Sequence, residues 1–216
     1  MKLMVMQDVM GSNDEIAAEN RHRFAETGVA AINVMASPGA GKTSLILGLI
    51  ERFPETVATA VIEGDIASAI DAEKMEARGI PVVQINTGGG CHLDAPSIRG
   101  AAEALNFKDG LLFIENVGNL VCPSAFDLGE ALRLVVASVP EGHDKPFKYL
   151  SMFESADIIV LNKIDLAPYI DFDRELFYKG VKAVNTKSAP IFEVSCRTGE
   201  GFPELIAHLL KVCGKQ

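Results

Sequence analysis

The chain has 216 residues, 48% of them hydrophobic, enough for one domain with a substantial core, and a formal net charge of -9. With no Lys/Arg stripe, no apolar run of membrane-span length and an opening Met-Lys-Leu-Met-Val-Met too short for a signal-peptide core, neither nucleic acid nor membrane is an expected partner. Four cysteines (Cys91, Cys122, Cys196, Cys213) then read as reduced thiols, and the expected compartment is the cytoplasm.

Asp14 to Thr27 reads as a helix, with Asn13 as its cap, Ile16, Ala17, Phe24 and Ala25 on or near one face, and Gly28 ending it. Residues 1–27 are therefore expected as a helical extension to a unit spanning 28–216. Strand-length apolar runs then alternate with helix-length segments. Strands are expected at Ala30–Met35, Val57–Ile62, Pro81–Ile85, Leu111–Val117, Leu132–Val139, Ile158–Leu161 and Ile191–Val194. Helices are expected at Lys42–Phe53, Ala67–Ala77, Ala95–Asn106, Phe147–Glu154, Asp173–Asn185 and Pro203–Val212. Several strands lack period-two alternation and are rich in Val and Ile, the pattern of a parallel sheet covered on both faces. The expected fold is α/β and doubly wound, a mostly parallel sheet flanked by helices. The most loop-like stretch is Val139 to Pro146.

Within this order, Ala36-Ser37-Pro38-Gly39-Ala40-Gly41-Lys42-Thr43 joins the first strand to an apolar-periodic helix. That is the strand–loop–helix context of a phosphate-binding P-loop. Backbone N–H groups would surround the β-phosphate, Lys42 would reach the β/γ oxygens, and the Thr43 hydroxyl would ligate Mg²⁺. Gly39, Ala40, Gly41, Lys42, Thr43 and Ser44 are the candidate phosphate-binding residues. The first motif position is Ala36 rather than Gly, which is tolerable if its φ is negative.

Asn162-Lys163-Ile164-Asp165 directly follows a strand and reads as a guanine pocket. A carboxylate at Asp165 can accept from both guanine N1–H and the exocyclic amine, a pairing adenine cannot offer. The Lys163 stem can lie along the base. Ser195-Cys196-Arg197 sits where a second base-contacting loop belongs, although Cys196 also reads as a small buried residue. Asp65 and Glu115, at the carboxyl ends of their strands, are candidates for Mg²⁺. Asp65 has a second reading as the N-cap of the helix beginning near Ala67; Glu115, inside an apolar strand, needs a partner. Gly118 would let a backbone N–H approach the γ-phosphate, making Val117–Leu120 a switch candidate. No Gln stands shortly after Gly118 to orient water; Lys42, Asp65 and Glu115 are the catalytic candidates, Asp65 positioning the water, with slow turnover expected.

Gly88-Gly89-Gly90-Cys91-His92 places thiol and imidazole side by side after a flexible turn, and Cys122 follows the switch candidate. Cys, His and Cys suit Zn²⁺ or Ni²⁺. Three donors leave a closed tetrahedral shell incomplete, so water or a second subunit would finish it. The competing reading is an incidental Cys-His pair and a packed Cys122.

The segments Ser-Pro-Gly-Ala-Gly-Lys-Thr (37–43), Glu-Gly-Asp (63–65), Gly-Gly-Cys-His-Leu-Asp-Ala (89–95), Glu-Asn-Val-Gly-Asn-Leu-Val-Cys-Pro (115–123) and Asn-Lys-Ile-Asp (162–165) together resemble the HypB family. These are the nickel-incorporation GTPases of nickel–iron hydrogenase maturation. The resemblance implies a P-loop NTPase of the dimerising signal-recognition/MinD class, with GTP, Mg²⁺ and a Zn²⁺/Ni²⁺ site at a homodimer interface mapping onto Cys91, His92 and Cys122. It implies a HypA-like nickel carrier, a peptidyl-prolyl isomerase metallochaperone and the hydrogenase large-subunit precursor as partners. Lys145 and Lys148 resemble a family segment that reaches a neighbour's nucleotide, and read equally well as a solvated charged loop. The amino-terminal Cys-x-x-Cys-Gly-Cys of some members is not in this sequence, so nickel storage there is not expected. Against a GTP-driven metallochaperone stand a nucleotide-gated scaffold with structural zinc, and a maturation GTPase for another nickel enzyme such as urease.

Overall fold

Strand β1 (Val29–Ala36) is buried along nearly its whole length, with only Ala30 part-exposed, which suits it to the middle of a sheet covered on both faces. The computed structural model describes residues 2–66 and 70–215. The remaining strands are β2 (Thr59–Asp65), β3 (Val82–Asn86), β4 (Gly110–Glu115), β5 (Leu132–Ser138), β6 (Ile158–Asn162) and β7 (Ile191–Glu193). All seven lie in one sheet of order β3-β2-β4-β1-β5-β6-β7, and each neighbouring pair runs parallel. The helices are α1 (Lys2–Glu26), α2 (Lys42–Ile50), α3 (Ile70–Glu76), α4 (Ala95–Leu105), α5 (Lys145–Lys148), α6 (Leu150–Ser155), α7 (Arg174–Val184) and α8 (Phe202–Val212).

Side-chain alternation along the strands sends two sets of residues to two cores. Ile32, Val34, Phe113, Val136 and Val160 pack with Leu45, Ile46 and Leu49 of α2, Met75 of α3 and Phe202, Leu205 and Leu209 of α8. On the other face, Ala31, Ile62 and Ile114 meet Phe24 of α1 and Ile98 of α4, while Met35, Val135 and Ile159 meet Phe153 of α6 and Phe177 of α7. Each fully buried Leu, Ile or Phe contributes about 1.5–3 kcal/mol through removal from water. Among the described residues no helix is long and apolar enough to cross a membrane.

Several expected boundaries move: the second strand runs Thr59–Asp65 rather than Val57–Ile62, the second helix ends at Ile50 rather than Phe53, and three further shifts have a visible cause. The first helix starts at Lys2 rather than after Asn13, since the preceding Lys, Leu, Met and Gln are good helix formers. Asn13 is therefore not a cap. It lies inside α1, its amide donating to the Asp127 carbonyl and its carbonyl oxygen accepting from the Ala95 N–H, both at 2.9 Å. The segment expected as one helix from Phe147 to Glu154 is two short helices broken at Tyr149, whose backbone leaves the helical region at φ -121°, ψ 59°. The fourth strand stops at Glu115, because Asn116 turns its side chain onto the following Val117 N–H (2.9 Å). The expected start of the third helix at Ala67 lies outside the described residues; α3 is described from Ile70.

Candidate functional site

The carboxyl ends of the central strands open onto a cavity of about 560 Å³, the crevice where open α/β sheets bind ligands. The loop between β1 and α2 forms its floor. Ala36 is the last residue of β1 and is not among the positive-φ residues, so the departure from Gly there costs no strain. Gly39 (φ 76°) and Gly41 (φ 103°) do adopt left-handed backbone. Gly41 stands at the N-cap of α2 with no side-chain cap, leaving the first-turn N–H groups for an anion. A Cβ at Gly41 would also lie 2.5 Å from Asn162 Nδ2, so no larger residue fits. Lys42 is only 9% exposed. Burial pushes its ammonium down from the usual range, while Glu115, Asp71, Glu63 and Glu141, in that order, pull it back up.

The strand registers bring acids to this cation. Glu63 of β2 and Glu115 of β4 are direct register partners, and Asp65 follows Glu63 on the same face. The Thr43 hydroxyl lies 2.8 Å from Glu115 Oε1 and 3.2 Å from Asp71 Oδ2. Burial raises the Glu115 carboxyl to about 7, partly opposed by Lys42 and Thr43. Glu63 rises to about 8 through burial, then through the charges of Glu115 and Asp65. One oxygen of each, Oε2, is buried without a hydrogen-bond partner. Hard oxygen donors with uncommitted lone pairs beside the P-loop threonine fit a Mg²⁺ with its waters. Asp65 Oδ1 accepts from the Ile66 N–H immediately after it, and Asp65 lines the cavity. Sequence reasoning missed Glu63 and Asp71. Glu63 carries the same signal that marked Glu115, an acid in an apolar strand; Asp71 is one of two acids in the first turn of α3.

A second cavity of about 450 Å³ adjoins the first through Gly41, Ser44 and Lys163, and is also lined by Asn162, Asp165, Leu166, Cys196 and Arg197. Asn162 is its hub. Its amide donates to the Ala40 carbonyl (2.9 Å), and its Oδ1 accepts from the N–H groups of Lys163 (2.7 Å) and Cys196 (3.3 Å). Lys163, at φ 61°, donates from Nζ to the Gly39 carbonyl at 2.6 Å. The fully buried Ser195 donates to Asp165 Oδ1 at 2.7 Å and so holds that carboxylate in place. Burial pushes the Cys196 thiol up to about 11, which keeps it a protonated wall residue.

Lys145 and Lys148 do not line either of these cavities. Lys148 pairs with Asp144 at 2.5 Å, and Lys145 lies 5.6 Å over the Tyr149 ring.

Donor atoms of Cys91, His92 and Cys122 all lie within 4.8 Å of one another. Left-handed turns at Gly88 (φ 60°) and Gly89 (φ 105°) precede the Cys-His pair, so the two adjacent side chains are not forced to opposite faces. Cys91 Sγ is 3.6 Å from His92 Nδ1. The His92 ring stacks on Phe126 at 3.8 Å, and burial lowers its pKa against the pull of Asp94, favouring the neutral imidazole that ligates metals. The Cys91 thiol is raised, first by its hydrogen bond with Cys122 and then by burial.

Residues 115–122 connect this cluster to the cavity. Glu115 receives the Thr43 bond; Asn116 Oδ1 accepts from the Leu93 N–H (3.2 Å); Asn119 donates from its backbone to the Ala36 carbonyl (2.8 Å) and from its amide to the Cys91 carbonyl (3.3 Å). Gly118 packs on the P-loop so closely that a Cβ would be 3.1 Å from Pro38 Cα.

Residues 30–192 match the CobW/HypB/UreG nucleotide-binding domain family. The hydrogenase maturation factor HypB of Azotobacter vinelandii is 50% identical over 208 residues, 96% of this chain and 68% of the relative. The chain belongs to the HypB family. Its fold agrees: HypB from Helicobacter pylori, solved in complex with nickel, superposes with a TM-score of 0.88 at 36% identity, covering 94% of this chain and 96% of that one. HypB from Archaeoglobus fulgidus gives 0.87 at 41% identity, over 94% and 99% of the two chains.

Proposed function

We propose that this HypB-family chain hydrolyses GTP and uses the cycle to carry nickel into the large subunit of nickel–iron hydrogenase. The observation that carries the reading is the 115–122 segment, which touches Thr43 and Ala36 at one end and supplies Cys122 at the other. A triphosphate that rearranges residues 115–119 must also move the carbonyl contact of Cys91 and the position of Cys122. Ion affinity and nucleotide state then become one linked equilibrium.

In this reading Gly39–Ser44 hold the phosphates and Lys42 draws charge from the β/γ oxygens. Asp165, steadied by Ser195, accepts from the guanine edge, and Lys163, Cys196 and Arg197 wall the base. Thr43, Asp65 and Glu115 hold Mg²⁺, which when bound neutralises charge on the phosphate oxygens. Asp65 positions the attacking water, and Gly118 offers its N–H to the γ-phosphate. Lys145 and Lys148, which line neither the phosphate-side nor the base-side cavity, serve the nucleotide of a second copy in a GTP-promoted homodimer. Cys91, His92 and Cys122 take Ni²⁺ or Zn²⁺, the remaining coordination positions being open to the second copy or to an acceptor. The reading includes the cytoplasm as compartment, a HypA-like carrier, a peptidyl-prolyl isomerase metallochaperone and the hydrogenase precursor as partners, and residues 1–27 as an extension to the GTPase unit 28–216.

The test is transfer. Nickel-loaded protein is mixed with an apo acceptor in GTP, GDP or a non-hydrolysable analogue. Nickel movement that depends on GTP supports the carrier. Equal retention under all three nucleotides points instead to a scaffold with a structural ion, and preference for ATP removes the guanine assignment.

A further inference from the structure

Glu63 has no evident structural reason to be an acid. It sits in the middle of a buried strand between Ile62 and Gly64, 3% exposed, with Oε2 lacking any hydrogen-bond partner. Its register partner across the β2–β4 pairing is Glu115, 4% exposed and likewise with an unpartnered Oε2. Neighbouring strands run about 4.7–4.9 Å apart, so two acids in register on one face oppose like with like. An unsatisfied buried acceptor adds its own desolvation cost. A valine at 63 would pack as the other strand residues do. Both carboxylates also line the 560 Å³ cavity with Lys42, Thr43, Asp65 and Asp71. Both residues thus line the space next to the hydroxyl that the P-loop offers to a cation, each with one buried oxygen still uncommitted.

We propose that Glu63 is a positioning residue of the divalent-cation cradle, accepting hydrogen bonds from the water shell of the Mg²⁺ that accompanies the nucleoside triphosphate. This rests on the nucleotide reading above and extends it to a residue outside the P-loop and outside the acids expected from the motifs. Mg²⁺ dehydrates reluctantly and keeps several waters, each of which presents donors that need acceptors. Glu115 is already committed through Oε1 to Thr43, and Glu63 supplies acceptor capacity on the adjacent strand. The buried, under-satisfied acid pair is a standing destabilisation of the empty protein that the hydrated cation relieves.

The experiment compares wild type, Glu63→Gln and Glu63→Asp. Retention of a fluorescent GDP or GTP analogue is titrated with Mg²⁺ from an EDTA-treated start, and thermal unfolding is recorded without nucleotide or metal. Glu63→Gln is expected to need roughly 10–100-fold more Mg²⁺ for half-maximal retention, the usual effect of losing an outer-shell partner. Glu63→Asp recovers part of that loss. Metal-free Glu63→Gln is expected to melt higher than wild type in alkaline buffer, where both carboxyls are ionised, because an isosteric amide then removes the opposed charge. A merely structural Glu63 gives the reverse: a lower melting temperature and an unchanged Mg²⁺ midpoint. Either of those results overturns the proposal. If wild-type protein itself retains nucleotide with no Mg²⁺ dependence, the nucleotide reading fails first, and this inference with it.

Discussion

The phosphate-facing cavity and the Cys91–His92–Cys122 cluster are both suited to cations, yet they are built from different parts of the fold. The first is made where regular elements end: β1 and β4 terminate at it, α2 begins in it, and its Lys42, Glu63 and Glu115 are buried. Its donors are hard oxygens, and their spacing is set by strand register. The second hangs on irregular backbone, a glycine turn before Cys91 and a 3₁₀ turn at Cys122–Ala125, and all three of its donor residues are half-buried. Strand pairing fixes the spacing of the oxygen donors, whereas the soft donors sit on segments that no strand pairing holds.

Removing a donor should separate the two regions most sharply. Cys122→Ala is expected to lower nickel affinity more than about 100-fold, beyond what an outer-shell loss costs, while GTP binding in metal chelator stays within about twofold of wild type. Competition with a chromogenic chelator measures the first and fluorescence titration the second. A variant that loses both would mean that the regions share one structure.

The acids of the rigid region carry a pH signature. Glu63 and Glu115 have native pKa values near 8 and 7, above the ordinary 4.5, so the native protein binds more protons than the unfolded chain between these limits. Stability of the metal-free protein is therefore full below about pH 4.5 for these groups and falls as pH rises toward 8. Denaturation midpoints across that range in EDTA, wild type against Glu115→Gln, check the sign. A profile as steep in the variant as in wild type would assign the trend to other groups.

Asp165→Asn should move base preference from guanine to xanthine by about 10–100-fold, as expected when a charged bidentate contact is lost, with the thiol cluster unaffected. Unchanged GTP selectivity would take Asp165 out of the base pocket. Asn119→Ala addresses the link itself. It removes the amide contact to the Cys91 carbonyl but keeps the backbone bond to Ala36, so the difference in nickel affinity between GTP and GDP states should shrink by about fivefold. The smallest effect belongs to Phe126→Ala, which unstacks His92 and should weaken nickel binding by only about two- to threefold, roughly 0.5 kcal/mol.

Much of the rigid region was legible before the fold was known. Gly-Ala-Gly-Lys-Thr after an apolar run, and Asn-Lys-Ile-Asp after another, are local patterns whose chemistry lies within a few residues. The seven strands were likewise visible, because burial on both faces demands short runs of Val, Ile and Leu. Less visible were contacts that depend on what lies opposite. Asn162 reads as part of a base motif, but its side chain ties Ala40 to Cys196, residues far from it in the chain. Asn13 reads as a helix cap and instead bonds Asp127 and Ala95. Both are short polar side chains that fit many partners, so local spacing does not choose among them.

From the order of residues alone came the parallel α/β architecture, the phosphate loop, the guanine-type tetrapeptide and the three soft donors, because each is a property of neighbours along the chain. The tertiary structure decided which groups meet. The β2–β4–β1 register sets Glu63 against Glu115 and brings Thr43 to a carboxylate 72 positions away, and the fold of residues 115–122 lays one short segment against both ion-directed regions. Strand pairing is a through-space choice, made by summed burial over the whole sheet, and a side chain's partner across that pairing follows from it.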